Sequence, residues 1–148
     1  MYTKMDMVFK TNDRNWQRKS RRVRQATAIA MVESLETISN ALYTRAQNNL
    51  KGPHYPPPEY AGPKTGEMPV PRVTGTLARS LKMKKITTWL WKVYSDGKIA
   101  THNVFVHDGT KKTRPRRFIG DVVLVNRSAW LKYIQSKMKR AVLKAHTG

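Results

Sequence analysis

The chain has 148 residues, with 29 Lys and Arg against 9 Asp and Glu, for a formal charge of +20. An apolar content of 39% is enough for one core, so a single domain over residues 1–148 is expected rather than wholesale disorder. There is no cysteine, which excludes disulfides, thiolate zinc sites and thiol nucleophiles.

Residues 1–11 read as an extended N-terminal arm in which Met5, Met7 and Phe9 alternate with polar residues. Asn12 or Asp13 offers a helix cap, and neither Pro nor Gly follows until Gly52, so a long helix is expected over 12–51. Met31, Leu35, Ile38, Leu42, Ala46 and Leu50 trace one helical face. The first half of this helix is basic and poor in apolar residues. Its positive charge opposes the helix dipole, so it either frays or is stabilised from outside.

Residues 52–72 hold seven of the eight prolines and form a Pro-rich loop with Tyr55 and Tyr60 interleaved, a segment that packs on a neighbour or lies on the surface. Residues 73–148 make up an α+β core. Thr74 or Thr76 caps a short helix with Leu77 and Leu81 on one face. The stretch from Lys84 to Thr110 reads as a β-hairpin turning at Asp96-Gly97. Trp89, Trp91 and Val93 share a face of its first strand, and Val104 and Val106 share a face of its return strand. A third strand is expected at Phe118–Val125. Asn126 or Ser128 then caps an amphipathic C-terminal helix bearing Leu131, Ile134, Met138 and Ala141, which packs on the sheet. The fold expected is α+β, with a long N-terminal helix, a small antiparallel sheet containing a hairpin, and a C-terminal helix.

The positive charge is concentrated in blocks. Arg14, Arg18, Lys19, Arg21, Arg22 and Arg24 lie within eleven residues, and Lys111, Lys112, Arg114, Arg116 and Arg117 within seven. No acid follows Asp121. Such blocks fit phosphate contact with DNA or RNA, an acidic protein neighbour, or a solvated face.

Catalytic patterns are missing. The nine carboxylates are scattered along the sequence, and no phosphate loop, dinucleotide fingerprint or nucleophile elbow occurs. His102, Asn103, His107 and Asp108 are the nearest approach to a constellation. On a strand, however, two histidines five residues apart face opposite sides and cannot share a metal. The expectation is a protein without enzymatic activity, cofactor or metal. The longest run without Asp, Glu, Lys or Arg, Ile99–His107, is nine residues, well short of the roughly 20 a membrane span needs. The N-terminus has no apolar core of a secretory signal, so synthesis in the cytosol is expected.

V-T-G-T-L-A-R-S-L at Val73–Leu81, V-F-V-H-D-G-T at Val104–Thr110 and R-P-R-R-F-I at Arg114–Ile119 follow one another in an order that resembles the head–tail joining, or tail-completion, family of tailed bacteriophages. V-T-G-T-L-A-R-S-L at Val73–Leu81 is similar to that family's T-G-x-L-x-x-S segment. V-F-V-H-D-G-T, Val104 to Thr110, stands where a family strand closes on a Gly-Thr pair, with Asp108 in place of the more usual aromatic. R-P-R-R-F-I, Arg114 to Ile119, stands for the family's R-P-F segment with two arginines inserted.

The resemblance implies a structural virion protein of the neck, assembled in the host cytoplasm as a ring of six or twelve copies. Its partners would be further copies, portal-connector and tail-tube proteins, and genomic DNA in the lumen, with no membrane. It leaves tail completion, tail terminator and other neck rings open. Arg14, Arg18, Arg21, Arg22, Tyr55, Tyr60, Arg114, Arg116 and Arg117 are the interface candidates. Thr74, Gly75, Leu77, Gly109 and Thr110 are the motif and turn residues, with Gly109 expected to permit a turn at the strand end. The alternative is a basic DNA- or RNA-binding protein of packaging or condensation.

Overall fold

A computed structural model of the chain describes residues 13–52, 75–111 and 115–147. The fold is α+β. Helix α1 runs from Asp13 to Asn49, a rise of about 55 Å at 1.5 Å per residue. Two tight turns end it, in which the Leu50 and Lys51 amides donate to the Gln47 and Asn48 carbonyls at 3.1 Å each. The buried side of α1 is lined by small residues: Ala30, Ser34 and Ala46 are buried, and the Ser34 hydroxyl donates back to the Ala30 carbonyl at 2.6 Å. The basic first half is helical from the outset.

Helix α2 is a single turn, Thr76–Ser80. Its cap position is Gly75, with φ 70°, so Thr76 is the first helical residue rather than the cap; Thr74 lies outside the described residues. A side chain at Gly75 would sit in the left-handed region that glycine occupies without strain. Leu77 and Leu81 do meet, in one core cluster with Ala46, Leu50, Ala100 and Phe118.

Strands β1 (Leu81–Thr87) and β2 (Leu90–Ser95) pair antiparallel, from Leu81 opposite Ser95 to Thr87 opposite Leu90. The hairpin therefore turns at Thr88-Trp89, not at Asp96-Gly97. The Trp89 amide donates to the Thr87 hydroxyl at 3.2 Å and closes that turn locally. Trp89 thus leaves the strand, while Trp91 and Val93 keep a common face.

Asp96 instead ends β2. Its backbone carbonyl accepts from the Ile99 and Ala100 amides, and its carboxylate accepts from the Lys98 amide at 3.0 Å and from Lys82 Nζ at 2.7 Å. The chain is drawn into a turn rather than a return strand. Asn103 then anchors the next segment by donating to the Ser95 carbonyl and hydroxyl, both at 3.1 Å. Asn103–Asp108 is a short helix, α3, so the expected strand at Val104–Val106 does not form.

The third expected strand is also helical. Helix α4 runs from Gly120 to Thr147. Phe118 and Val122 are both buried and four residues apart, a helical spacing, and Asp121 in the first turn complements the dipole. Asn126 and Ser128 are interior helical positions, not caps; the Asn126 amide donates to the Val122 carbonyl at 2.7 Å. Helix α4 packs against α1, and its leading end meets the sheet, where Phe118, Ile119 and Gly120 face Val93, Tyr94 and Ser95. Leu131, expected on the packed face, is half exposed, whereas Ile134, Met138 and Ala141 are partly covered.

Candidate assembly interface

Burial in the hairpin fades from base to tip. Leu81 is buried and Val93 packs on the core, whereas every residue from Lys84 to Leu90 is exposed. A two-stranded ribbon in water is marginal by itself, and this one draws its footing from its base alone. Lysines cover its flanks, with Lys85 over the Trp91 ring at 5.6 Å and Lys92 over the Tyr94 ring at 4.9 Å. The tip is apolar. Ile86, Trp89 and Leu90 stand there about half exposed.

A second apolar region surrounds the α3–α4 junction. Val104 and Phe105 of α3 are exposed side by side. On α4, Leu124 and Leu131 are exposed seven residues apart, on the same helical stripe that continues to the partly covered Met138. Among the described residues, thirteen large apolar side chains are exposed, against five buried apolar ones larger than alanine: Leu50, Leu77, Leu81, Phe118 and Val122. Scattered exposed apolar residues are ordinary, but clusters at a projecting tip and along a helix stripe mark surfaces that exclude water on association. None of these residues was singled out as an interface candidate from the sequence. The available signal was the I-T-T-W-L string, in which apolar residues flank a polar turn.

The candidates chosen from the sequence separate into groups. Arg14, Arg18, Arg21 and Arg22 are all exposed on the first turns of α1. Arg117 is exposed, but Arg116 is buried, with its backbone amide donating to the Val106 carbonyl at 2.9 Å. In the single chain Arg116 therefore ties the basic segment to α3 instead of presenting charge outward. Tyr55, Tyr60 and Arg114 lie outside the described residues.

Gly109 ends α3, a helix rather than a strand, with φ 79° and ψ −178°, a conformation essentially reserved for glycine. Thr110 follows it, exposed. The backbone folds back at this point so that Phe118 sits edge-on to His107, ring centroids 5.3 Å apart.

His107 Nδ1 and Asp108 Oδ1 lie 2.7 Å apart. On α3, His102 holds the cap position and His107 the last turn, so the strand geometry that was expected to separate them does not apply. Among the described residues no three His, Asp or Glu side chains gather as metal ligands, and no helix is long and apolar enough to cross a membrane.

The Lys82–Asp96 pair braces the hairpin base. The hydrogen bond from Lys82, helped by the Lys98 amide, holds the Asp96 carboxyl below its ordinary value, and the same bond raises Lys82. Both groups are solvated, so the pair trims the geometry rather than supplying much stability.

Comparison with known proteins is silent: no family model, no curated protein and no solved structure matches the chain.

Proposed function

We propose that the chain is a structural protein of a tailed-phage virion, forming a homo-oligomeric ring in the neck that completes the tail and joins it to the head. The observation that carries self-association is the hairpin whose apolar tip, Ile86, Trp89 and Leu90, projects from the core into water. A neighbouring copy offers an apolar match at the exposed Val104–Phe105 pair or the Leu124–Leu131 stripe. A tip on one surface meeting a different surface on the next copy is a heterologous contact, the kind that closes into rings. Placement in the neck rests on the motif order from Val73 to Ile119. Portal-connector and tail-tube proteins are then the neighbours above and below.

Native mass spectrometry of the purified chain tests the first part, with discrete multiples of 17.1 kDa, six or twelve copies, expected. Detection of the chain in purified particles tests the second. A species of 17.1 kDa at every concentration, together with absence from particles, refutes the reading.

A further inference from the structure

Helices α1 and α4 run antiparallel. The last turns of α4 lie against the first half of α1: Ala141, Lys144 and Ala145 share a groove with Arg22, Ala26 and Ile29, and His146 reaches the cleft of Trp16, Lys19 and Val23. Two basic blocks more than a hundred residues apart in sequence therefore merge at the end of the molecule remote from the sheet. Six cations between Arg14 and Arg24 join four between Lys137 and Lys144. The sequence places no acid between Arg14 and Val32 or after Asp121. Asp13 precedes the block at the outer end of α1, and Glu33 lines the same groove as Arg22 and Lys144, so acids stand only at the two limits of the stalk's α1 run of charge.

We infer that this two-helix cationic stalk binds the phosphate backbone of duplex DNA without reading its bases. The charge density matches. Ten cations occupy a stalk that runs from Arg14 to the level of Glu33, about 29 Å, and B-DNA of that length carries roughly seventeen phosphates, about half of them on the side a docked stalk meets. The spacing favours it as well. Arg14, Arg18 and Arg21 follow one another at four and three residues, giving an exposed row along a single face of α1. Like charges so placed repel one another along the helix, and phosphates between them reverse the sign of that term. Nine of the ten cations, all but Lys137, are exposed and follow the two helix axes, so the recognition is of charge rather than of sequence. Trp16, exposed near the end of α4 and lining clefts with Arg21 and Arg24, sits where it would meet the same backbone.

The inference holds for one copy as for a ring, so a failure of assembly and a failure of binding are separate results. The test is fluorescence anisotropy of a labelled 20-bp duplex with the full chain at 50 to 200 mM salt. With about six phosphates contacted, the affinity should fall roughly a thousandfold over that range. Replacing Arg14, Arg18 and Arg21 by Gln, or in a second variant Lys139, Arg140 and Lys144, should each flatten the log–log salt slope by about three. A third variant, Gln at Lys84, Lys85 and Lys92 of the hairpin, removes the same charge from the other end and should leave the slope unchanged. Circular dichroism checks that the helices remain, and Gln at exposed helical positions is well tolerated. Equal losses from stalk and hairpin variants would overturn the proposal, as would absence of binding at 50 mM salt. Tighter, stalk-dependent binding of poly-glutamate than of DNA at matched charge would also overturn it, in favour of an acidic protein.

Discussion

Replacing Ile86, Trp89 and Leu90 together by serine separates assembly from folding. The three side chains are 47%, 54% and 54% exposed in the single chain, so half of each contributes to the monomer and half awaits a partner. Fully burying an Ile or Leu side chain is worth about 1.5–3 kcal/mol, so the exposed halves of Ile86 and Leu90 offer about 1 kcal/mol each. An aromatic side chain buries about 200 Å², so Trp89 has about 100 Å² left to lose, or about 2.5 kcal/mol at 25 cal/mol per Å². The tip therefore offers up to about 4.5 kcal/mol to each contact. Ordering of the hairpin on association offsets part of that, so at least a tenfold loss of assembly affinity is expected, with a thousandfold as the upper figure.

Sedimentation or native mass measured across a dilution series reads the assembly constant. Thermal unfolding of the dilute chain reads the monomer, where each exposed substitution should change stability only slightly. An unchanged assembly constant refutes the role of the tip. A large drop in monomer stability with no separate loss of assembly would show that the tip belongs to the core.

Phe118→Ala should destabilise the chain by about 3–5 kcal/mol, because Phe118 is the largest fully buried side chain among the described residues and joins α1, α2, the hairpin base and α3; chemical denaturation measures it, and a cost under 1 kcal/mol would contradict the packing. The Asp96 carboxyl is held below its ordinary value of 3.8, so its contribution is present above that pH and fades as pH falls through the lowered folded value. Asp96→Asn should therefore melt below the native chain at pH 7, with the two melting temperatures converging in strong acid. A constant gap down to pH 2 would show that the ion pair is not its source.

Two kinds of element were readable from the sequence for different reasons. Helix α1 announces itself by length, periodicity and the absence of Pro and Gly over nearly forty residues, and no tertiary contact is needed to choose it. The segments V-F-V and F-I-G-D-V-V-L-V carry the local signature of strands, and both are helical in the fold. Short apolar runs are ambiguous between strand and helix, and long-range anchors decide them here. Asn103 hooks onto Ser95, and Phe118 enters the core beside Leu50 and Leu81, which holds both segments against the core instead of alongside the hairpin. The hairpin was expected one strand late because Asp96-Gly97 is a strong turn signal. It does make a turn, but one that exits the sheet. For the candidate interface, the arginine blocks were visible as composition. Their convergence was not, because it depends on α4 returning antiparallel along α1.

That convergence divides the molecule by the kind of force each end can exert. At the sheet end the exposed apolar groups Ile86, Trp89, Leu90, Val104, Phe105 and Leu124 stand beside the hairpin lysines, and association of the apolar groups strengthens as water is excluded and is little affected by moderate salt. At the stalk end the cations repel every other copy's stalk and attract any polyanion, and both effects are screened over about 8 Å at physiological ionic strength. A ring built through the sheet ends brings stalks of like charge toward one another, so each added copy raises an electrostatic cost that salt lowers. A polyanion lowers the same cost far more effectively, because it occupies several stalks at once and its counterions are released. The two processes therefore respond to salt with opposite sign, assembly gaining and phosphate binding losing, while the polyanion itself favours the assembled form. By linkage, assembly must raise the apparent affinity for the polyanion by the same factor. On this reasoning the proposed ring of +20 chains closes most readily around the polyanion proposed for its stalks.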